Sequence, residues 1–263
     1  MSTKRLKIVF IGAGNVATHL SKALQKAGHH ILQIYSRTEK SAKELAMQLN
    51  VPYTFNLSDL NREADLYVIS VSDKAIEPLL AQKDFGKKLV IHTSGSISMD
   101  VFKGHATNYG VFYPLQTFSK FKEIDLKKVP VCIEANTREN EEILLAVARE
   151  LSDNVQLVDS QQREIIHVAA VFACNFSNQM YAIADKLLKE HGLPFNILLP
   201  LIDETAEKIK ITSPLEAQTG PAVRDDQNVI DNHLKLLTNF PEFQKIYSFV
   251  TESIQSLQET KKK

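Results

Sequence analysis

The stretch Leu6-Lys7-Ile8-Val9-Phe10-Ile11-Gly12-Ala13-Gly14-Asn15-Val16-Ala17 constrains this chain more than any other. A short apolar run reads as a buried parallel strand, two glycines break it, and a helix begins at once. Gly12 suits the tight turn, Gly14 lets bare backbone approach a pyrophosphate at the helix N-terminus, and Ala17 takes the third small-residue position. Gly12, Ala13, Gly14, Asn15 and Val16 are therefore the expected phosphate-binding set. His19, Leu20, Ala23, Leu24 and Ala27 continue a helical stripe that Gly28 ends.

Some twenty residues further on, where a dinucleotide fold reads the ribose, the second strand His30-Ile31-Leu32-Gln33-Ile34-Tyr35 runs into Ser36-Arg37-Thr38. Asp or Glu at that tip would take the ribose hydroxyls and repel a 2′-phosphate. A guanidinium between two hydroxyls does the reverse, because Arg37 can grip a phosphate by charge-assisted hydrogen bonds. The expected cofactor is NADP(H), held by Ser36, Arg37 and Thr38; the other reading of Arg37 is a solvated surface arginine.

Up to about residue 155 apolar runs alternate with helical segments. Strands are expected at 6–11, 30–35, 52–55, 66–71, 88–92, 109–113 and 129–134, with helices near 15–27, 38–49, 74–82 and 137–152. The alternation implies an α/β, Rossmann-like doubly wound parallel sheet over residues 1–157. Ligands of such sheets bind at the carboxyl ends of the strands, which makes Val71, Ser72, Thr93 and Ser94 candidates for cofactor or substrate contacts, or ordinary turn residues.

Residues 158–263 read as an all-α helical domain for substrate binding and dimerisation. Its first segment, Gln161 to Glu190, is apolar on more than one face and is expected to be the central, buried helix. Further helices are expected near 195–210, 214–218, 226–238 and 241–258, with Asp225 or Asp226 as an N-cap. So broad an apolar surface in a helical domain makes a homodimer the expected assembly.

Composition excludes several classes. Equal counts of 31 basic and 31 acidic residues leave no electrostatic case for nucleic acid or an anionic membrane. No apolar run approaches the ~20 residues of a membrane span, and Met1-Ser2-Thr3-Lys4-Arg5 leads straight into a strand, so the expected location is the cytoplasm. Cys132 and Cys174 are expected as reduced, packed thiols, and the eight histidines lack metal-ligand spacing. Lys261-Lys262-Lys263 reads as a frayed tail.

The polar residues of the long helix are the candidates for chemistry. At 100° per residue, Asn175 lies about 80° and Asn178 about 20° from His167, so the three can share a face. His167 could then donate a proton to a reduced substrate while the asparagines orient its carbonyl or imine; otherwise His167 and Asn175 hydrogen-bond across an interface. Arg163 and Glu164 are expected as solvated first-turn residues or a weak ion pair. In Tyr109-Gly110-Val111-Phe112-Tyr113-Pro114-Leu115-Gln116-Thr117-Phe118-Ser119, Tyr113 is a further candidate acid, Gln116 and Thr117 candidate substrate ligands, and Phe112 and Phe118 packing residues.

Gly12-Ala13-Gly14-Asn15-Val16-Ala17, Ser36-Arg37-Thr38, His92-Thr93-Ser94-Gly95-Ser96, Tyr113-Pro114-Leu115-Gln116-Thr117-Phe118, the run from His167 to Asn175 and Thr219-Gly220-Pro221 stand in one order. Together they resemble the bacterial NADP oxidoreductases that join a Rossmann-like domain to a helical domain of unknown function, over nearly the whole chain. The resemblance implies relatives such as pyrroline-5-carboxylate reductase, deazaflavin-dependent NADP reductase and the β-hydroxyacid dehydrogenases, which often dimerise through the helical domain. It implies a cofactor and leaves the substrate open. The lysine that β-hydroxyacid dehydrogenases carry a turn before an asparagine is Val171 here, and Tyr113 stands where family members more often show histidine. The expected activity is NADP(H)-dependent reduction of C=O or C=N in a small polar metabolite, against an NADP(H)-binding regulatory protein without turnover or a deazaflavin-linked hydride exchange.

Overall fold

The computed structural model describes residues 5–261, so the expectation for Met1 to Lys4 and for the last two lysines lies outside the described residues. The chain forms two compact units, one running through Cys174 and one beginning at Asn175.

The first unit is built on eight strands: β1 Lys7–Ile11, β2 His30–Tyr35, β3 Tyr53–Thr54, β4 Leu66–Ile69, β5 Leu89–His92, β6 Asn108–Pro114, β7 Val131–Ala135 and β8 Val155–Leu157. Their order in the sheet is β3-β2-β1-β4-β5-β6-β7-β8. Helices α1 Asn15–Lys26, α2 Glu39–Leu49, α3 Ile76–Leu80, α4 Arg138–Leu151 and α5 Ser160–Ala170 accompany them. Chain order reverses between β1 and β4, which is the switch point where such sheets bind ligands.

Alternation along each strand divides the core. Ile8 and Phe10 join Leu20, Leu24, Leu45, Leu49, Leu144 and Val147 on one side of the sheet. Val9 and Ile11 join Tyr67, Ile69, Ile76, Leu80, Phe85 and Phe102 on the other. Both faces are covered, which is why the inner strands read as continuous apolar runs. Burying each large side chain of this kind stabilises the unit by roughly 1.5–3 kcal/mol.

The sheet is parallel except where β7 runs antiparallel to β6, from Gly110 opposite Ala135 to Pro114 opposite Val131. The segment between these strands holds only a short 3-10 turn, Leu126–Lys128, and without a crossover helix the chain returns antiparallel. β8, which is not among the expected strands, pairs parallel with β7 after the α4 crossover. The expected helix at 74–82 is a 3-10 turn, Asp73–Ala75, followed by α3.

The last strand ends at Leu157, where the domain boundary is expected, but α5 belongs to the first compact unit. The helical run then passes through a π turn, Val171–Phe176. The second unit contains α6 Ser177–Glu190, α7 Leu199–Lys208, α8 Pro214–Ala217, α9 Gln227–Leu236 and α10 Pro241–Lys261. Ser213 and Glu216 form a capping box, and Asp226 rather than Asp225 caps α9 by accepting from the Val229 N–H.

The segment from Val171 to Glu190 is not a buried central helix: none of its described residues is buried. The buried hydrophobics among the described residues of the second unit are Ile230 and Leu237. Cys132 is packed as expected, but Cys174, on the same uncovered turn, is exposed. No helix among the described residues is long and apolar enough to cross a membrane, and none of their His, Cys, Asp and Glu side chains cluster in threes or more as a metal site would need.

Candidate active site

Register places the candidate loops together. Ile11 pairs with Tyr35 on one side and Ile69 on the other, Ile69 pairs with His92, and His92 with Val111. The residues that follow, Gly12 to Gly14, Ser36 to Thr38, Ser70 to Ser72, Thr93 to Ser96 and Tyr113, therefore share one edge of the sheet.

Gly12 has φ +123°, and a Cβ on it would lie 2.1 Å from the Ser70 carbonyl oxygen and 3.3 Å from Val71 Cγ1. Only glycine fits this turn. A Cβ on Gly14 would meet nothing within 4 Å, so the start of α1 faces open space. No side chain caps that helix, and the free N–H groups of its first turn suit an anion. Ala13 is buried and Val16 half-buried beside it. The Asn15 side chain, unlike its backbone N–H, is committed elsewhere: its Nδ2 donates to the Phe118 carbonyl at 2.9 Å, and His19 Nε2 lies 2.9 Å from the Ser119 carbonyl. Together they tie the loop after β6 to the first two turns of α1.

At the tip of β2, Ser36 is half-buried while Arg37 and Thr38 are exposed. Thr38 donates to Ser41 Oγ at 2.9 Å, and no ion pair among the described residues engages Arg37. Beyond β4 and β5, Ser72 is exposed and Val71 lines the glycine turn, whereas Thr93 and Ser94 are buried and shape the loop. Thr93 donates to Ser70 Oγ at 3.1 Å, and Ser94 Oγ accepts from the Ser96 and Ile97 N–H groups, each at 3.2 Å. Ser96 in turn donates to Asp73 Oδ2 at 2.5 Å.

His167 reaches this edge from α5. Its Nδ1 lies 3.1 Å from the Tyr113 hydroxyl, with the rings edge-on. Burial raises the Tyr113 pKa, Cys132 adds to the rise, and the Arg163 charge opposes it. Gln116 and Thr117 are exposed and bond to each other, while Phe112 is buried in the core. Asn175 and Asn178 are exposed residues of the second unit. The uniform 100° per residue behind their expected common face does not carry through the intervening π turn.

Arg163 corrects the expectation most. It is fully buried, not solvated; its Nη1 pairs with Glu134 Oε2, and its Nη2 donates to the Ile97 carbonyl at 2.6 Å and Ser160 Oγ at 3.1 Å. Glu164 beside it is exposed as expected. Sequence reasoning also missed Gly95, where a Cβ would lie 2.7 Å from both His167 Nδ1 and Tyr113 Cζ. One signal was available: Ser160, Arg163 and His167 stand at helical spacing on one face of α5.

Residues 7–95 match the family described as NADP oxidoreductase coenzyme F420-dependent, and residues 129–254 match the domain of unknown function DUF2520. A crystal structure named "putative NADP oxidoreductase BF3122", from Bacteroides fragilis, is 49% identical, covers 96% of this chain and 98% of its own, and superposes with a TM-score of 0.91. This chain belongs to that NADP oxidoreductase family. The NADP oxidoreductase has the fold of more distant structures as well. Protein TM1727 from Thermotoga maritima is 21% identical with a TM-score of 0.79, covering 96% of this chain and 99% of its own. The 1-pyrroline-5-carboxylate reductase of Streptococcus pyogenes is 17% identical with a TM-score of 0.64 over the same shares. None of the curated proteins matches this oxidoreductase.

Proposed function

We propose that this oxidoreductase uses NADPH to reduce a C=O or C=N group of a small polar metabolite, with His167 as the proton donor. The observation that carries the reading is the His167–Tyr113 pair, on the same sheet edge as the glycine turn and in the same compact unit. The residues present suit the cofactor: Gly12 admits no side chain, Gly14 faces open space, and α1 begins without a cap. Gly12, Ala13, Gly14, Asn15 and Val16 would hold the pyrophosphate and Ser36, Arg37 and Thr38 the 2′-phosphate, with Val71, Ser72, Thr93 and Ser94 bordering the dinucleotide. The 1-pyrroline-5-carboxylate reductase and an imine reductase from Myxococcus stipitatus solved with NADP+ share the fold and support a C=N substrate by analogy alone.

NADPH supplies a hydride when bound. Reduction leaves the substrate heteroatom one proton short, and His167 Nε2 supplies it. In this reading the neutral Tyr113 phenol, 3.1 Å from Nδ1, is the donor of that hydrogen bond, which places the ring hydrogen on Nε2. As Nε2 gives its proton, Nδ1 draws the phenol proton, and solvent restores it.

The homodimer belongs to the same reading. Ile197, Leu201, Ile211 and Phe249 are exposed in a unit with little core of its own, and a second copy of the helical domain would cover them. A cytoplasmic location fits the two unpaired thiols.

The test is NADPH consumption against a panel of imines, 2-oxoacids and aldehydes. At least one class should be reduced, and His167→Gln should slow it by roughly 10²-fold or more. Equal turnover by the variant would remove the acid role. Consumption only with a deazaflavin acceptor would reassign the substrate.

A further inference from the structure

We propose that Arg163 is the positioning residue of the His167–Tyr113 pair, its buried guanidinium tying β7 and the loop after β5 to α5 one turn ahead of His167. The inference rests on the assignment of that pair to the reaction.

Three elements meet at this guanidinium. Glu134 is on β7, the Ile97 carbonyl belongs to the loop that follows β5, and Ser160 opens α5. Glu134 also accepts from the Ser160 N–H at 3.0 Å and its hydroxyl at 2.8 Å, and the Met99 N–H donates to Ser160 Oγ at 2.9 Å. The tied loop carries Gly95, whose Cα faces both rings of the pair so closely that a Cβ would overlap them. Arg163 thus holds the wall against which His167 and Tyr113 rest, and the helix that delivers His167.

Stability alone does not account for an arginine here. A buried ion pair gains little over well-packed apolar residues of the same volume, because desolvation offsets the Coulomb attraction. This one also leaves its Nε without a hydrogen-bond partner. Fixed geometry does account for it: a planar guanidinium holds its donors in set directions, whereas the donors of a lysine ammonium rotate on a flexible stem. The guanidinium has a second effect, since its charge opposes the rise in the Tyr113 pKa and favours release of the phenol proton.

The test reads the pair without any substrate. Removing both partners, Arg163→Met with Glu134→Leu, leaves no orphan charge and should fold. Isotope-labelled histidine, with His167 identified by its loss in His167→Gln, reports the Nδ1 hydrogen bond; the ultraviolet titration difference against Tyr113→Phe reports the phenol. In the double variant the His167 Nδ1 signal should move toward that of a free imidazole, and Tyr113 should titrate at higher pH. Arg163→Lys, which keeps the charge and loses the fork, should move the His167 signal with a smaller change in Tyr113, and decides the matter if the double variant does not fold. A folded variant that melts lower but keeps both wild-type signals overturns the proposal. Wild-type turnover in His167→Gln would instead sink the acid reading and leave the positioning result standing.

Discussion

Gly95 has no side chain, and the site depends on that. A methyl there must displace the His167 and Tyr113 rings, whose nearest atoms would lie 2.7 Å away. Overpacking of this kind costs about 1–3 kcal/mol of stability, and a displacement near 1 Å at reacting groups costs on the order of 10²-fold in rate. Gly95→Ala should therefore fold, keep its NADPH affinity, and lose roughly 10²-fold in turnover of whichever panel substrate the wild type reduces. Steady-state kinetics beside a nucleotide titration checks this; unchanged turnover would mean the pair is not at the reaction centre. Gly12 was legible in sequence because a glycine turn after a strand has a known cause. Gly95 was not, since its constraint comes from rings 18 and 72 positions away in the chain. Arg163 was misread for a related reason: a charged residue in a first helical turn is usually solvated, and nothing local reveals Glu134 waiting on β7.

At the scale of elements, β5 ends in a histidine that acid should expose. His92 is buried, stacked on Phe102, and accepts the Ser94 N–H through Nδ1. Burial, with the Arg163 charge, lowers its pKa from 6.5 to about 3. The unfolded chain therefore binds the extra proton first, so this contribution to stability is complete above pH 6.5 and declines as pH falls toward 3. The slope should reach about 1.4 kcal/mol per pH unit. His92→Asn, which keeps an acceptor and cannot titrate, should flatten the slope in denaturant titrations stepped through that window; an unchanged slope would assign acid sensitivity elsewhere, with His29, also lowered by burial, the next to test. Strands and helices of the first unit were legible because both faces of the sheet are covered and the runs are apolar throughout. The antiparallel return of β7 and the π turn were not, since neither has a periodicity of its own.

At the scale of the molecule, the helical unit is where local pattern reads the wrong environment. An apolar run with more than one hydrophobic face looks the same whether its own chain or a second copy covers it, and here its own chain leaves it exposed. The predicted homodimer follows from that surplus. Leu201→Glu combined with Phe249→Glu should shift the protein to monomer in sedimentation equilibrium, while the first unit still binds NADPH. A wild-type monomer at every concentration would contradict it.

With no tryptophan in the chain, the nicotinamide's own fluorescence can be followed directly in titrations with NADPH and NADH, for the wild type and for Arg37→Ala. If the Arg37 contacts contribute about 1.5–3 kcal/mol, the wild type should prefer NADPH by roughly tenfold to a few hundredfold, and Arg37→Ala should lose that preference without weakening NADH. Binding of neither nucleotide, or equal binding of both by the wild type, would contradict an NADP(H) site at the glycine turn and Arg37.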